Sequence, residues 1–83
     1  MGSRTGCRFD VRGTVQGVGF RPWVYRLARE HGLTGRVWNH AQGVTIEIFG
    51  PPAAIEAFRA ALSGRDAPPA ARVEHVAQSP VEI

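Results

Sequence analysis

One short stretch rich in glycine, Val15-Gln16-Gly17-Val18-Gly19-Phe20-Arg21, constrains the chain more than any other. Alternating apolar residues precede it and an amphipathic helical pattern follows it, so the stretch connects a strand to a helix. Glycine allows successive N–H groups to face one side of a loop, and a helix start adds N–H groups without intrahelical partners. The stretch therefore predicts an anion site, most often for phosphate, with the Arg21 guanidinium at its rim.

A simpler interpretation stays open from spacing alone. A glycine-rich connection is often only a tight turn, and an arginine in a first helical turn is often only solvated. The stretch is not a Walker A motif, because no Gly-Lys-Ser/Thr follows it. It is not the dinucleotide-binding fingerprint either, because the third glycine would fall at Pro22.

The order of periodic segments predicts the fold. Period-two alternation indicates strands and helical spacing indicates helices, with Gly32 and Ser63-Gly64 ending the two helices and Gly43 able to take a positive φ in a hairpin turn. The predicted strands are Cys7–Gly13, Arg36–Asn39, Val44–Phe49 and Arg72–Ala77, and the predicted helices are Phe20–His31 and Pro52–Leu62. The order βαββαβ predicts an α+β, ferredoxin-like sandwich, in which two helices cover one face of a four-stranded antiparallel sheet.

Composition limits the chemistry that is available. Eighty-three residues with 43% hydrophobic content form one small domain with a modest core. The single cysteine, Cys7, excludes an internal disulfide and a cysteine-cluster zinc site, and its position predicts a small apolar residue on a strand. His31, His40 and His75 show no metal-ligand spacing. We predict no metal.

Charge favours an anionic ligand. All ten basic side chains are arginines, and the net charge is +3. The arginines are scattered and no aromatic platform accompanies them, so nucleic acid is not a predicted partner. The absence of a signal peptide, transmembrane run or lipidation motif predicts a cytoplasmic location without a membrane partner.

The expected domain limits follow from these patterns. Residues 1–6 are predicted to be a leader or an expression remnant, and residues 7–78 the folded domain. Residues 79–83 are predicted to be a C-terminal tail or the start of a linker to further domains. The abrupt end of the chain is the reason for expecting a domain excised from a longer protein.

Asn39 is the second candidate site residue. It ends the second predicted strand, where asparagine often only caps its own backbone in a turn. In the predicted fold, however, the end of this strand and the loop that leads to Arg21 lie at the same side of the sheet. An amide there can hold a water molecule near the bound anion.

These residues also carry a family resemblance. The chained pattern Gly13-x-Val15-Gln16-Gly17-Val18-x-Phe20-Arg21, Ala28, Gly32-Leu33-x-Gly35-x-Val37-x-Asn39, Gly43-Val44 and Gly50 resembles the acylphosphatase family. It covers most of positions 7–50. Two further stretches, residues 20–28 and 68–74, are similar to the N-terminal domain of the HypF family, large carbamoyltransferases that act in [NiFe]-hydrogenase maturation.

The resemblance implies a role for each matched residue. Arg21 corresponds to the phosphate-binding arginine and Asn39 to the asparagine that orients the attacking water. The loop from Gly13 to Gly19 corresponds to the backbone cradle for the phosphate. The family uses no metal or organic cofactor. In HypF-like proteins the implied substrate is carbamoyl phosphate, the implied product is inorganic phosphate, and further domains of the same chain are the implied partners.

Three functional hypotheses stay open at this point. The first is hydrolysis of carbamoyl phosphate by a domain of a HypF-like carbamoyltransferase. The second is a free-standing acylphosphatase for general acyl phosphates. Pro22 and residues 68–74 favour the first over the second. The third is a domain that binds an anion or a partner without catalysis, which would need Arg21 but would have no need of Asn39.

Overall fold

The computed structural model describes residues 4–17, 19–62 and 67–82. They form six elements in the predicted order. These are β1 (Thr5–Thr14), α1 (Phe20–Glu30), β2 (Thr34–His40), β3 (Gly43–Gly50), α2 (Pro52–Leu62) and β4 (Arg72–Val81). The predicted helix end at Ser63-Gly64 lies outside the described residues.

The four strands form one antiparallel sheet in the order β2-β3-β1-β4. The two parallel crossovers, β1-α1-β2 and β3-α2-β4, leave both helices on one face of the sheet. This is the ferredoxin-like α+β sandwich, so the fold predicted from periodicity is confirmed. Because β1 and β2 are both antiparallel to β3, they run in the same direction and end at the same edge of the sheet.

The core lies between the two helices and the sheet. Phe9 of β1 is fully buried and its ring lies 5.8 Å from that of Phe58 in α2. Phe20 and Trp23 pack in the same way at the start of α1, with ring centroids 5.6 Å apart. Cys7 is buried as predicted, and this burial raises the pKa of its thiol.

Both terminal strands extend beyond their predicted bounds. β1 is paired from Thr5 onward, and β4 is paired as far as Val81, which lies opposite Gly6. Residues 5–6 and 79–81 therefore belong to the sheet and not to flanking segments. Most β4 side chains are exposed, because β4 is an edge strand, and this is why its apolar alternation is too weak to mark its length.

The strand β3 also differs from the prediction, because it is buried on both faces. Its alternation predicts a half-buried strand, yet Glu47 is only 3% exposed on the face without helices. There its carboxylate accepts hydrogen bonds from Arg8 on β1, at 2.5 Å, and from Arg36 on β2, at 3.0 Å. The Arg8 guanidinium, and after it that of Arg36, lower the pKa of Glu47 through these hydrogen bonds. The two groups also cover the carboxylate from water.

No helix within the described residues has both the length and the apolar character that crossing a membrane requires.

Candidate functional site

The loop between β1 and α1 presents open backbone to solvent. Val15 is buried and fixes the loop to the core, whereas Gln16, Gly17 and Gly19 are exposed. Gly17 and Gly19 have φ of 73° and 80°, in the left-handed region. Apart from the adjacent residues, no atom of the described part of the chain lies within 4 Å of where a side chain would begin at either glycine, which leaves the backbone open to a ligand. Val18, also predicted in the loop, lies outside the described residues.

Gly13, by contrast, does not belong to this loop. It lies in β1 at the irregularity in the β1–β4 pairing, and a side chain there would meet the Arg72 carbonyl oxygen at 2.0 Å. The glycine at this position is needed for close approach of two strands. The loop itself therefore begins at Val15, after the end of β1, and not at Gly13.

The start of α1 suits an anion. Gly19 is the N-cap and makes no side-chain capping bond, and the first turn contains no acidic residue. The Trp23 N–H reaches the Gly19 carbonyl at 3.2 Å, which leaves the N–H groups of Phe20 and Arg21 without intrahelical acceptors. Phe20 is buried, which orients the first turn, while Arg21 is exposed beside it. The free N–H groups and the guanidinium together favour negative charge at this point.

Asn39 lies at the same edge of the sheet. It is exposed and pairs with Val44 of β3, which in turn pairs with Val11 of β1. Cross-strand partners point to the same face, so Asn39 lies on the face that carries the helices. Among the described residues, no side-chain hydrogen bond involves Asn39 or Arg21, so Asn39 is a strand residue with a free amide and not a self-capping turn residue.

Gln16 brings the loop and the β2–β3 hairpin together. Its side-chain amide nitrogen donates to the His40 carbonyl oxygen at 2.5 Å and to the Gly43 carbonyl oxygen at 2.9 Å. His40 directly follows Asn39, so this contact places Asn39 beside the anion loop. The sequence predicts Gln16 only as a loop residue, since a contact across 24 residues leaves no local signal.

The hairpin has the predicted turn. Ala41 and Gln42 form its tip between β2 and β3, and Gly43 has φ of 149°, as its position predicted. A separate apolar cavity of about 510 Å³ lies between α1 and β2. Its lining includes Val24, Ala28 and Val37 but neither Arg21 nor Asn39. This apolar cavity is therefore separate from the polar site.

Metal chemistry has no visible support in the part of the chain that the structure describes. No group of three or more His, Cys, Asp or Glu side chains converges there. The prediction that the protein uses no metal or cofactor stays a prediction.

The fold and this strand-loop-helix site define a class of small α+β domains with an open glycine-rich loop before the first helix, and comparison with known proteins gives the family. The acylphosphatase family model matches residues 7–83. The chain belongs to the acylphosphatase family.

Relatives fall into two groups. The chain is 58% identical over 71 residues to carbamoyltransferase HypF2 of Cupriavidus necator, covering 86% of this chain and 9% of that protein. It is 43% identical over 72 residues to an acylphosphatase of Rhodospirillum rubrum, covering 86% of this chain and 77% of that protein. The chain thus spans about a tenth of the length of the carbamoyltransferases it matches.

Solved structures share this fold. A full-length HypF crystallised in a phosphate- and nucleotide-bound form superposes with a TM-score of 0.95 at 31% identity, over all of this chain and 11% of that chain. The chain is therefore an acylphosphatase domain, related both to HypF proteins and to free acylphosphatases.

Proposed function

We propose that this domain hydrolyses an acyl phosphate, with carbamoyl phosphate as the first candidate substrate. The observation that carries the proposal is the meeting of two features at one edge of the sheet. The exposed loop and helix start, with Arg21, offer donors to a phosphate. Asn39 lies on β2 at the same edge, and the hydrogen bond from Gln16 to the His40 carbonyl oxygen links β2 to the loop.

Each residue has a defined part in the reaction. Arg21 and the N–H groups of residues 16–21 bind the phosphate oxygens and stabilise the charge that they carry in the transition state. The Asn39 amide holds a water molecule in line with the phosphorus and the leaving oxygen. Water attacks phosphorus, the bond to the acyl oxygen breaks, and carboxylate or carbamate leaves while a phosphate oxygen takes the proton. An acyl phosphate is already activated, so no strong nucleophile is required.

Two observations support carbamoyl phosphate over a general acyl phosphate. Identity to the carbamoyltransferase HypF2 is 58%, against 43% to the Rhodospirillum rubrum acylphosphatase. Pro22 and residues 68–74 follow the HypF pattern as well. We propose accordingly that the domain serves a larger HypF-like carbamoyltransferase, with further domains of the same chain as partners. The cytoplasmic location predicted from the sequence belongs to the same proposal.

The test is phosphate release from carbamoyl phosphate and from acetyl phosphate. We compare the wild type with Arg21→Ala and with Arg26→Ala, which removes an exposed arginine one turn further along α1. We expect Arg21→Ala to lower turnover by at least about 100-fold, as loss of a transition-state donor does. Arg26→Ala should stay within about twofold of the wild type.

Substrate preference separates the alternatives. Faster turnover of carbamoyl phosphate supports the HypF assignment, whereas equal turnover of both substrates supports a general acylphosphatase. A folded wild type that binds phosphate through Arg21 but releases none from either substrate would support a binding domain without catalysis.

A further inference from the structure

We propose that His40, Thr45 and Asp10 form a hydrogen-bonded chain that positions Asn39 from the opposite face of the sheet. The three side chains lie on the face without helices, on β2, β3 and β1 respectively. None of them belongs to the anion loop or its rim. This inference rests on the proposed function, because it assigns positioning residues to the same site.

The hydrogen bonds have one consistent direction. The Gln42 backbone N–H donates to His40 Nδ1 at 3.2 Å, so Nδ1 is the unprotonated nitrogen. His40 Nε2 then carries the proton and lies 2.9 Å from Thr45 Oγ1. The Thr45 hydroxyl donates to Asp10 Oδ1 at 2.7 Å. The Asp10 carboxylate, which accepts only, therefore fixes the tautomer of His40 through Thr45.

Three hydrogen bonds consequently fix the position of His40. Its ring is bound to the turn at Gln42 and to β3 at Thr45, and its carbonyl oxygen accepts from Gln16 of the anion loop. A second contact, from Arg12 to the Gln42 side chain at 3.0 Å, holds the turn from β1. Asn39 is the preceding residue of β2 and points to the other face. Fixing the peptide between residues 39 and 40 therefore fixes where the Asn39 amide can hold water.

This placement predicts a kinetic signature that differs from a purely structural role. In the proposed function, phosphate binding depends on Arg21 and the loop backbone. The His40–Thr45–Asp10 hydrogen-bonded chain contacts that loop only through Gln16. Loss of this hydrogen-bonded chain should therefore lower kcat while leaving KM nearly unchanged. A displacement of about 1 Å in a positioning group costs roughly 10–100-fold in rate.

Three variants and one control test this hydrogen-bonded chain. Thr45→Val keeps the shape of residue 45 and removes both side-chain hydrogen bonds. His40→Asn keeps an acceptor near Nδ1 for the Gln42 N–H but cannot reach Thr45, whereas His40→Gln keeps a donor toward Thr45. His75→Asn is the control, because His75 is an exposed histidine of β4 that lines the same 670 Å³ hollow as Asp10 and His40.

We expect Thr45→Val and His40→Asn to lower kcat by about tenfold or more, with KM for acetyl phosphate within twofold of the wild type. His40→Gln should recover part of that loss, and His75→Asn should behave as the wild type. Equal changes in KM and kcat, or unchanged kcat in folded Thr45→Val protein, would overturn the proposal.

A second readout does not depend on turnover. Long-range ¹⁵N NMR should show the His40 ring as the Nε2–H tautomer, and Thr45→Val should shift the side-chain amide signal of Asn39. An Nδ1–H tautomer, or an Asn39 signal that does not respond, would overturn the positioning chain even if the enzyme is active. If the wild type hydrolyses no acyl phosphate, the proposed function fails, and these spectra still decide whether the chain holds Asn39.

Discussion

The two helices begin in opposite ways, although each follows a strand and crosses the same face of the sheet. A five-residue loop with two left-handed glycines leads into α1, and no side chain caps its first turn. Only Pro51 separates β3 from α2, and Pro52 is the first residue of that helix. The Ala54 and Ile55 N–H groups are already bound to the Pro51 carbonyl oxygen, at 3.0 and 3.1 Å.

The charged side chains near the two helix starts also differ, with a cation at α1 and a carboxylate at α2. Arg21 lies at the start of α1, whereas Glu56 lines a different hollow, which Pro52 and Gln78 also line, beside the start of α2. Pro51 and Pro52 lack the N–H donors that would otherwise lie at the start of α2, and the Glu56 carboxylate disfavours an anion there. The two starts lie at opposite edges of the sheet, because β1 and β3 are antiparallel. The fold therefore supplies two helix starts, and the local sequence makes one of them better suited to an anion than the other.

The largest effect that tests this comparison is expected at Asn39. Asn39→Ala should lower turnover by about 100-fold with little loss of phosphate affinity, because the water loses its holder while the anion donors remain. Gln78→Ala is the matched control, since Gln78 is an amide on the helix-bearing face near the end of β4, beside the start of α2. Steady-state kinetics and phosphate titration measure both. A large affinity loss at unchanged turnover would make Asn39 a binding residue instead.

The sequence predicted this site because its signals are local. The glycines, Arg21 and the helical spacing after them all fall within one short stretch, and period-two strands placed Asn39 at the same edge. The contacts of Gln16, the burial of Glu47 and the full length of β4 were missed. Each of these depends on which strands become neighbours in the sheet, and strand pairing leaves no signature within a single segment.

A smaller effect is expected at the left-handed glycines. Gly19→Ala places a side chain where the left-handed backbone costs about 1–2 kcal/mol, so the loop must distort, and phosphate affinity should fall by about tenfold. Gly32→Ala is the control, because Gly32 has φ of 69° in equally open space after α1. Calorimetric titration should show weaker binding only for Gly19→Ala, although both variants lose stability. Equal phosphate affinity in the two variants would show that the left-handed conformation at Gly19 is not needed for phosphate binding.

A substitution at Glu47 should change the stability of the fold without changing phosphate binding, because Glu47 lies on the face without helices. Its pKa is lowered in the folded protein by Arg8 and Arg36, so its ionised form stabilises the fold above the unfolded pKa. That contribution disappears as the pH falls through the folded pKa. Glu47→Gln should therefore lower Tm at pH 7, and the difference from the wild type should shrink in acid, with phosphate affinity unchanged.

Glu56→Gln is the control for this measurement. Glu56 pairs with Arg59 on the exposed surface of α2, where solvent screens the interaction, so its loss should change Tm less than the loss of Glu47. A Tm difference between Glu47→Gln and wild type that stays constant from pH 7 to pH 3 would show that the ionised carboxylate is not the source of the stabilisation.

The smallest effect is expected at the start of α2. Pro52→Ala restores one N–H donor there, and we expect no gain in phosphate binding, because the Pro51 carbonyl already engages the following donors and Glu56 stays nearby. Isothermal titration measures the number of sites. A second phosphate site in this variant would show that any freed helix start in this fold binds anions.

Titration of the ¹⁵N-labelled protein with inorganic phosphate tests the central claim most directly. The account predicts amide shifts at Gln16, Gly17, Gly19, Phe20 and Arg21, none at residues 53–56, and loss of all of them in Arg21→Ala. Shifts centred on the start of α2, or loop shifts that persist in folded Arg21→Ala protein, would contradict it.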